Sequence, residues 1–152
     1  MVIRHLRADE LNAILDLYRH LHRADDPLPP PPVLAAAWDA ILSNPSCRYF
    51  GGFIAETLVS SCALTVIPNL TRACRPYGLI ENVVTHADHR RNGHAKAVLG
   101  EALREAWAEG CYKVMLLTGR KDEEISRFYE SAGFDRHTKQ AFVARPGLAR
   151  ER

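Results

Sequence analysis

The sequence predicts a mixed α/β fold of the α+β kind, and three observations carry that expectation. Apolar runs of strand character gather into a hairpin-like block between residues 49 and 85. After Asn92, helical and strand patterns alternate. The chain has 152 residues, 47% of them apolar and 25% charged, which is one domain's length with ordinary globular composition. A chain of that size builds a core without disulfides or metal. The domain is expected to cover residues 1–146, with 147–152 as a frayed tail.

In order along the chain, Val2 to Leu6 reads as a short strand, followed by a helix from about Asp9. In that helix Leu11, Ile14, Leu15, Tyr18 and Leu21 recur at helical spacing. Asp25-Asp26-Pro27-Leu28-Pro29-Pro30-Pro31-Pro32 is too rich in proline for a helix interior or central strand, so a stiff extended connector is expected. Leu34, Ala37, Trp38, Ile41 and Leu42 place a second helix after it, closed by Asn44-Pro45. Tyr49 to Ala55 and Leu58 to Ile67 flank Glu56-Thr57, the length of a tight hairpin turn. Thr71 to Arg75 reads as a loop and Tyr77 to Thr85 as a third β-run. From Asn92 to about Glu109, Ala95, Val98, Leu99, Ala102, Leu103, Ala106 and Trp107 share one face of a strong amphipathic helix, stopped by Gly110. Tyr112 to Leu117 is expected as a buried strand, Asp122 to Ser131 as a helix stopped near Gly133, and Phe134 to Ala144 as a last strand.

Composition excludes several function classes. Twenty basic against 18 acidic residues leave a formal charge of +2, too small for a nucleic-acid binder working through a broad basic field. The apolar stretches are too short to cross a bilayer, so no membrane partner is expected. The charged start MVIRHLRADEL lacks the apolar core of a signal peptide. Cys47, Cys62, Cys74 and Cys111 form no C-x-x-C pair and read as reduced thiols, so a cytoplasmic location is expected.

The most informative stretch is the turn from Thr85 to Lys96, where a β-run ends and a long helix begins. A helix start offers unpaired N–H groups and the positive end of a dipole, which attract anions. Gly93 lets a phosphate approach the main chain, Ala95 keeps the first turn uncrowded, and Arg90, Arg91 and Lys96 add positive charge. Taken alone, R-x-x-G-x-A is more often a solvated basic loop, and it is the strand, turn and helix around it that lift the match. The P-loop is set aside for want of G-K-[ST], and the dinucleotide fingerprint for want of three glycines. His86, His89 and His94 have no cysteine or carboxylate to complete a zinc set, so no metal is expected.

Arg90-Arg91-Asn92-Gly93-His94-Ala95 is similar to the [QR]-x-x-G-x-[GA] signature of the GNAT superfamily of acetyl-CoA-dependent N-acyltransferases. Arg127-Phe128-Tyr129-Glu130-Ser131-Ala132-Gly133-Phe134 resembles that family's F-Y-E-x-x-G-F block. The resemblance implies a central mixed, mostly antiparallel sheet flanked by helices on both faces. Leu79-Ile80-Glu81-Asn82-Val83-Val84 and Gly110-Cys111-Tyr112-Lys113-Val114 further resemble the glucosamine-6-phosphate N-acetyltransferase branch, with its I-E-D-V-V and G-C-Y-K. That branch carries L-D-C where this chain has Leu116-Leu117-Thr118, and the following loop, Gly119 to Glu123, is longer here.

By that resemblance acetyl-CoA is the cosubstrate. Its pantetheine arm would pair with main chain near Val83, and its diphosphate would sit on N–H groups from Arg91 to Lys96, through Asn92, Gly93, His94 and Ala95. A strand bulge would turn the Val84 N–H toward the thioester carbonyl. Tyr129 is the candidate proton donor to the departing thiolate, a phenol near pKa 10 facing a thiol near 8.5. Read by spacing alone, it serves equally as a core tyrosine. Glu81, a carboxylate in an apolar strand on the face of Leu79 and Val83 by alternation, is either the base for the amine or a structural ion-pair partner. Leu28 to Val33 is expected to wall the acceptor pocket. Direct transfer to a primary amine of a small molecule, an amino sugar among the candidates, is expected. Relatives often pair, and the last strand would offer a homodimer its edge. Three rivals stay open: a non-catalytic CoA-binding domain, a protein or peptide N-acetyltransferase, and nucleotide-phosphate binding by an unrelated fold.

Overall fold

In the computed structural model the described residues are 1–22 and 24–146, so the expected tail at 147–152 lies outside them. They divide into two compact units, one from Met1 to Leu116 and one beginning at Leu117.

The first unit is built on a five-stranded sheet in the order β1 (Val2–His5), β2 (Cys47–Ile54), β3 (Thr57–Ile67), β4 (Tyr77–Thr85) and β5 (Val114–Leu116). The first three pairings are antiparallel and β4–β5 is parallel, the crossover being made by a helix, α3 (His94–Ala108). α1 (Leu11–Tyr18) and α2 (Pro31–Ser43) precede the hairpins. The mixed, mostly antiparallel sheet expected from sequence is therefore present.

Alternation gives the sheet two buried faces. On one, Leu6, Ile14, Leu17, Trp38, Phe53, Leu58 and Val84 form a core with α1 and α2. On the other, Phe50, Cys62, Leu64 and Ile80 are buried where α3 presents Val98, Leu99, Ala102 and Ala106, and the Cys62 Sγ lies 4.0 Å from the Val98 carbonyl. Gly51 in β2 is required by close approach, because a Cβ there would fall 2.5 Å from Leu6 Cδ2 and 2.6 Å from the Phe53 ring. Filling either core with that extra carbon forces side chains off their rotamers.

Several element expectations need correction. The proline connector stops at Pro30. Pro31 and Pro32 open α2, where a missing N–H costs nothing and the fixed φ suits the first turn. The hairpin turn is Ala55-Glu56 rather than Glu56-Thr57, with Ala55 at φ +50, because β3 starts at Thr57. The Thr71–Cys74 stretch is a tight turn whose Arg72, Ala73 and Cys74 are left-handed. β5 is limited to Val114–Leu116 and is half-buried, as an edge strand is. Trp107 is 50% exposed, off the buried stripe of α3.

The second unit contains α4 (Glu123–Ser131). Asp122 caps it by accepting from the Ile125 N–H at 3.0 Å, and Gly133 at φ +97 follows its end. Arg136 returns to Glu123 at 2.8 Å and Glu130 at 2.8 Å. The expected strand from Phe134 to Ala144 does not form. Asp135 instead folds its own neighbours into a turn, accepting from the His137 N–H and the Thr138 hydroxyl, and Phe142 and Val143 are 87% and 67% exposed. The edge such a strand would offer a second copy is absent among the described residues. No helix among them is long and apolar enough to cross a membrane.

Candidate active site

β4 carries the first part of the site. Ser61 pairs with Val84 and Ala63 with Glu81, so β4 spends two residues, Asn82 and Val83, opposite Cys62 alone. That is a β-bulge, with Asn82 left-handed at φ +55. It lies directly before Val84, where the family resemblance called for one. The bulge also changes which residues share a face: Glu81 and Val84, not Glu81 and Val83, lie together on the α1/α2 face.

Glu81 is exposed, so it escapes the desolvation cost that made it conspicuous in the sequence. No cation pairs with it among the described residues. β5 pairs with β4 only over Gly78–Ile80, so that ladder ends before the bulge. From Glu81 to Thr85 the β4 main chain runs on past the end of β5. At its far end Ser60 Oγ donates to the Val84 carbonyl at 3.0 Å and lies 2.9 Å from Thr85 Oγ1, tying the end of β4 to β3.

The turn after Thr85 is held by side chains as much as by backbone. Asn92 Nδ2 donates to the carbonyls of His89 and Arg90 at 3.3 and 3.2 Å. Arg90 Nε donates to the Thr85 carbonyl at 3.2 Å, and Nη2 to the His20 carbonyl at 3.0 Å. Arg91 at φ +63 and Gly93 at φ +77 then reverse the chain into α3. The first intrahelical bond runs from the Ala97 N–H to the Gly93 carbonyl at 3.0 Å. The N–H groups of His94, Ala95 and Lys96 therefore have no carbonyl within the helix to receive them, and they open toward the turn. A Cβ on Gly93 would meet nothing within 4 Å, so open space lies over this helix start, and it is the positive φ that demands glycine.

Four histidines line the same region. The His20 ring lies 4.1 Å from that of His86, His86 5.6 Å from His89, and His89 6.2 Å from His94. His86 Nδ1 accepts from the Asp88 N–H at 3.3 Å. Partial burial, with His86 and Arg90 adding to it, lowers the pKa of His20 and favours the neutral ring. No group of three His, Cys, Asp or Glu side chains among the described residues could hold a metal ion. With a basic turn and unpaired helix N–H groups, this region is suited to a polyanion such as a diphosphate.

In the second unit Tyr129 is half-buried on α4, its ring edge-on to Phe128 at 5.0 Å and Phe134 at 6.2 Å. The two buried thiols, Cys62 and Cys111, are poor nucleophiles. Burial pushes Cys62 up to about 12, while burial first and the Glu109 charge second raise Cys111.

Sequence reasoning missed three features. The contacts of Arg90 and His86 with His20 join residues far apart in the chain, with no local pattern to announce them. The Tyr18 and Ser61 hydroxyls are buried with no well-formed hydrogen bond among the described residues, Tyr18 having the Tyr49 and Asn82 side chains beside it. Burial, above all, raises the pKa of Tyr18.

Comparison with known proteins places this geometry in a group. Residues 11–134 match the Acetyltransferase (GNAT) family. Over 147 residues, 91% of each chain, the sequence is 32% identical to a glucosamine 6-phosphate N-acetyltransferase from Trypanosoma brucei brucei. A putative acetyltransferase from Agrobacterium tumefaciens superposes with a TM-score of 0.89 at 38% identity, over 95% of this chain and 99% of that one. The Arabidopsis thaliana glucosamine-6-phosphate N-acetyltransferase superposes at 0.80 over 94% and 97%, and at 20% identity it speaks for the fold alone.

Proposed function

The chain belongs to the GNAT acetyltransferase family, and from that premise we propose that it moves acetyl from acetyl-CoA directly onto a primary amine of a small molecule, with an amino sugar the first acceptor to try. The observation that carries the proposal is the unit of bulged strand, left-handed Gly93 and open α3 start. The amino-sugar part rests on the trypanosomal relative, a glucosamine 6-phosphate N-acetyltransferase. Against it stands Leu116-Leu117-Thr118, which offers no aspartate where that branch has one.

In this reading the diphosphate of acetyl-CoA is held by the N–H groups from Arg91 to Lys96, with the charges of Arg91 and Lys96 adding long-range attraction. The main chain of β4 from Val83 receives the pantetheine arm as an added strand. The amine lone pair attacks the thioester carbon, the carbon–sulfur bond breaks, and the amine proton leaves to solvent or to Glu81. Negative charge on the carbonyl oxygen is stabilised by a main-chain N–H of the bulged β4 segment from Asn82 to Val84. Tyr129 supplies a proton to the thiolate that departs as coenzyme A. No cysteine intermediate is invoked, since the buried thiols stay protonated at neutral pH.

The test is release of free thiol from acetyl-CoA with a panel of amines led by glucosamine 6-phosphate, alongside peptides with free N-termini. Tyr129→Phe should lower kcat about 100-fold and leave acetyl-CoA affinity within twofold. Wild-type turnover of peptides alone would refute the small-molecule assignment, and an unchanged kcat in the variant would remove Tyr129 from the chemistry.

A further inference from the structure

Arg90 was expected to serve the phosphates, yet two of its donors are committed elsewhere. Nε is spent on the carbonyl of Thr85, the last residue of β4, and Nη2 on the carbonyl of His20, two residues past the end of α1. The side chain thus bridges the mouth of the anion-binding turn to the beginning of the α1–α2 connector. A second contact runs in parallel, the His20 ring lying 4.1 Å from that of His86, itself the residue after Thr85. His86 is anchored in turn, its N–H donating to the Val59 carbonyl at 2.9 Å. Two independent contacts therefore converge on one residue of the connector.

The placement has a consequence. α1 and α2 cover the sheet face on which Glu81 and Val84 lie, so the connector joining them borders the face of β4 where the acceptor amine would approach. We propose that Arg90 is a positioning residue that fastens the end of α1 to the anion-binding turn, so that coenzyme A seated in the turn also stiffens the connector leading to α2. The guanidinium need not abandon its carbonyls for the phosphates. It carries five donors in a planar fork, and the three uncommitted ones can face an anion while two stay in place. By linkage, the factor by which bound acetyl-CoA tightens the acceptor through the fastened connector is the factor by which the acceptor tightens acetyl-CoA.

This inference rests on the proposed binding of coenzyme A at the turn, and the experiment separates the two. Hydrogen exchange is followed by mass spectrometry on wild type, Arg90→Ala, Arg90→Lys and His20→Ala, with and without coenzyme A. The His20 and Leu21 N–H groups donate to Leu17 and Tyr18 carbonyls, so their exchange reports opening of the end of α1. In wild type, coenzyme A should slow exchange both in residues 91–97 and at His20–His22, the latter about fivefold, the scale of one exposed charged hydrogen bond. With coenzyme A raised until each variant is saturated, the turn in Arg90→Ala and Arg90→Lys should be protected and His20–His22 should lose that gain. Lysine keeps the charge without the fork. His20→Ala removes only the ring contact and should keep at least half of the effect.

Protection of the turn without any change at His20–His22 in wild type would overturn the coupling while leaving the cofactor site standing. Faster exchange at His20–His22 on binding would overturn it too, since Arg90 would then be leaving the carbonyl for a phosphate. Equal connector protection in wild type and Arg90→Ala would assign the coupling to some other contact. No protection anywhere would instead defeat the proposed function.

Discussion

Gly93 and Gly100 allow the helix start to be interrogated with one chemical change made twice. A Cβ added at either position meets no atom within 4 Å, so neither substitution clashes. They differ in backbone alone. Gly93 holds φ +77 immediately before α3, whereas Gly100 lies exposed inside α3. Gly100→Ala should therefore gain helix propensity, about 0.8–1 kcal/mol, or a rise in Tm of about 2–4 °C for a chain of this size. Gly93→Ala places an L-residue in the left-handed region at a cost of about 1–2 kcal/mol and should lower Tm by a similar or larger amount. Its methyl also enters the space over the His94, Ala95 and Lys96 N–H groups. Loss of one charge-assisted bond to phosphate, about 1.5–3 kcal/mol, raises the Kd for acetyl-CoA about 10- to 100-fold. Thermal unfolding and calorimetric titration of both variants read these effects, with Gly100→Ala expected to bind as wild type does. Wild-type affinity in Gly93→Ala would refute the placement of the diphosphate on this helix start. A Tm rise in both would refute the left-handed turn.

Other outcomes follow from the same geometry. Tyr18→Phe removes a buried hydroxyl with no well-formed hydrogen bond among the described residues, so stability should be unchanged or raised by up to about 1 kcal/mol; a clear loss in chemical denaturation would show that the hydroxyl is satisfied in solution. Glu81→Gln should lower kcat/KM for the acceptor most near neutral pH, with the deficit shrinking toward pH 9 as the amine deprotonates unaided; a deficit independent of pH would make Glu81 structural. Glu123 is held down to about 2 chiefly by its hydrogen bond with Arg136. Because that folded-state pKa is depressed, its contribution to stability is present above the ordinary carboxylate range and is lost as pH falls from about 4.5 toward 2. Carboxyl titration by NMR should show Arg136→Ala moving Glu123 up toward the ordinary carboxylate range, with Arg127 still holding it somewhat below, and a value still near 2 would contradict the pairing.

The strand, turn and helix that frame the candidate site could be read before the structure, because their signal is local. Tyr77–Thr85 is an apolar run bounded by Pro76 and a basic turn, and it forms β4 as expected. α3 starts at His94 rather than Asn92, since Asn92 turns its side chain back onto two carbonyls and Gly93 is left-handed. The rest depended on contacts no window of sequence contains. The bulge at Asn82 breaks the period-two alternation, so Glu81 keeps company with Val84 instead of Val83. The approach of Arg90 to His20 is purely tertiary. Phe134 to Ala144 reads as a strand, but a strand exists only by pairing, and Asp135 diverts the chain into a turn first.

The central claim is that the turn into α3 binds the diphosphate of coenzyme A, and isothermal titration of the intact protein at low ionic strength tests it most directly. Coenzyme A should bind at one site per chain, weaken as salt is raised, and bind far more tightly than pantetheine, which lacks the diphosphate. Equal affinity for pantetheine, or no heat with coenzyme A at all, would contradict it.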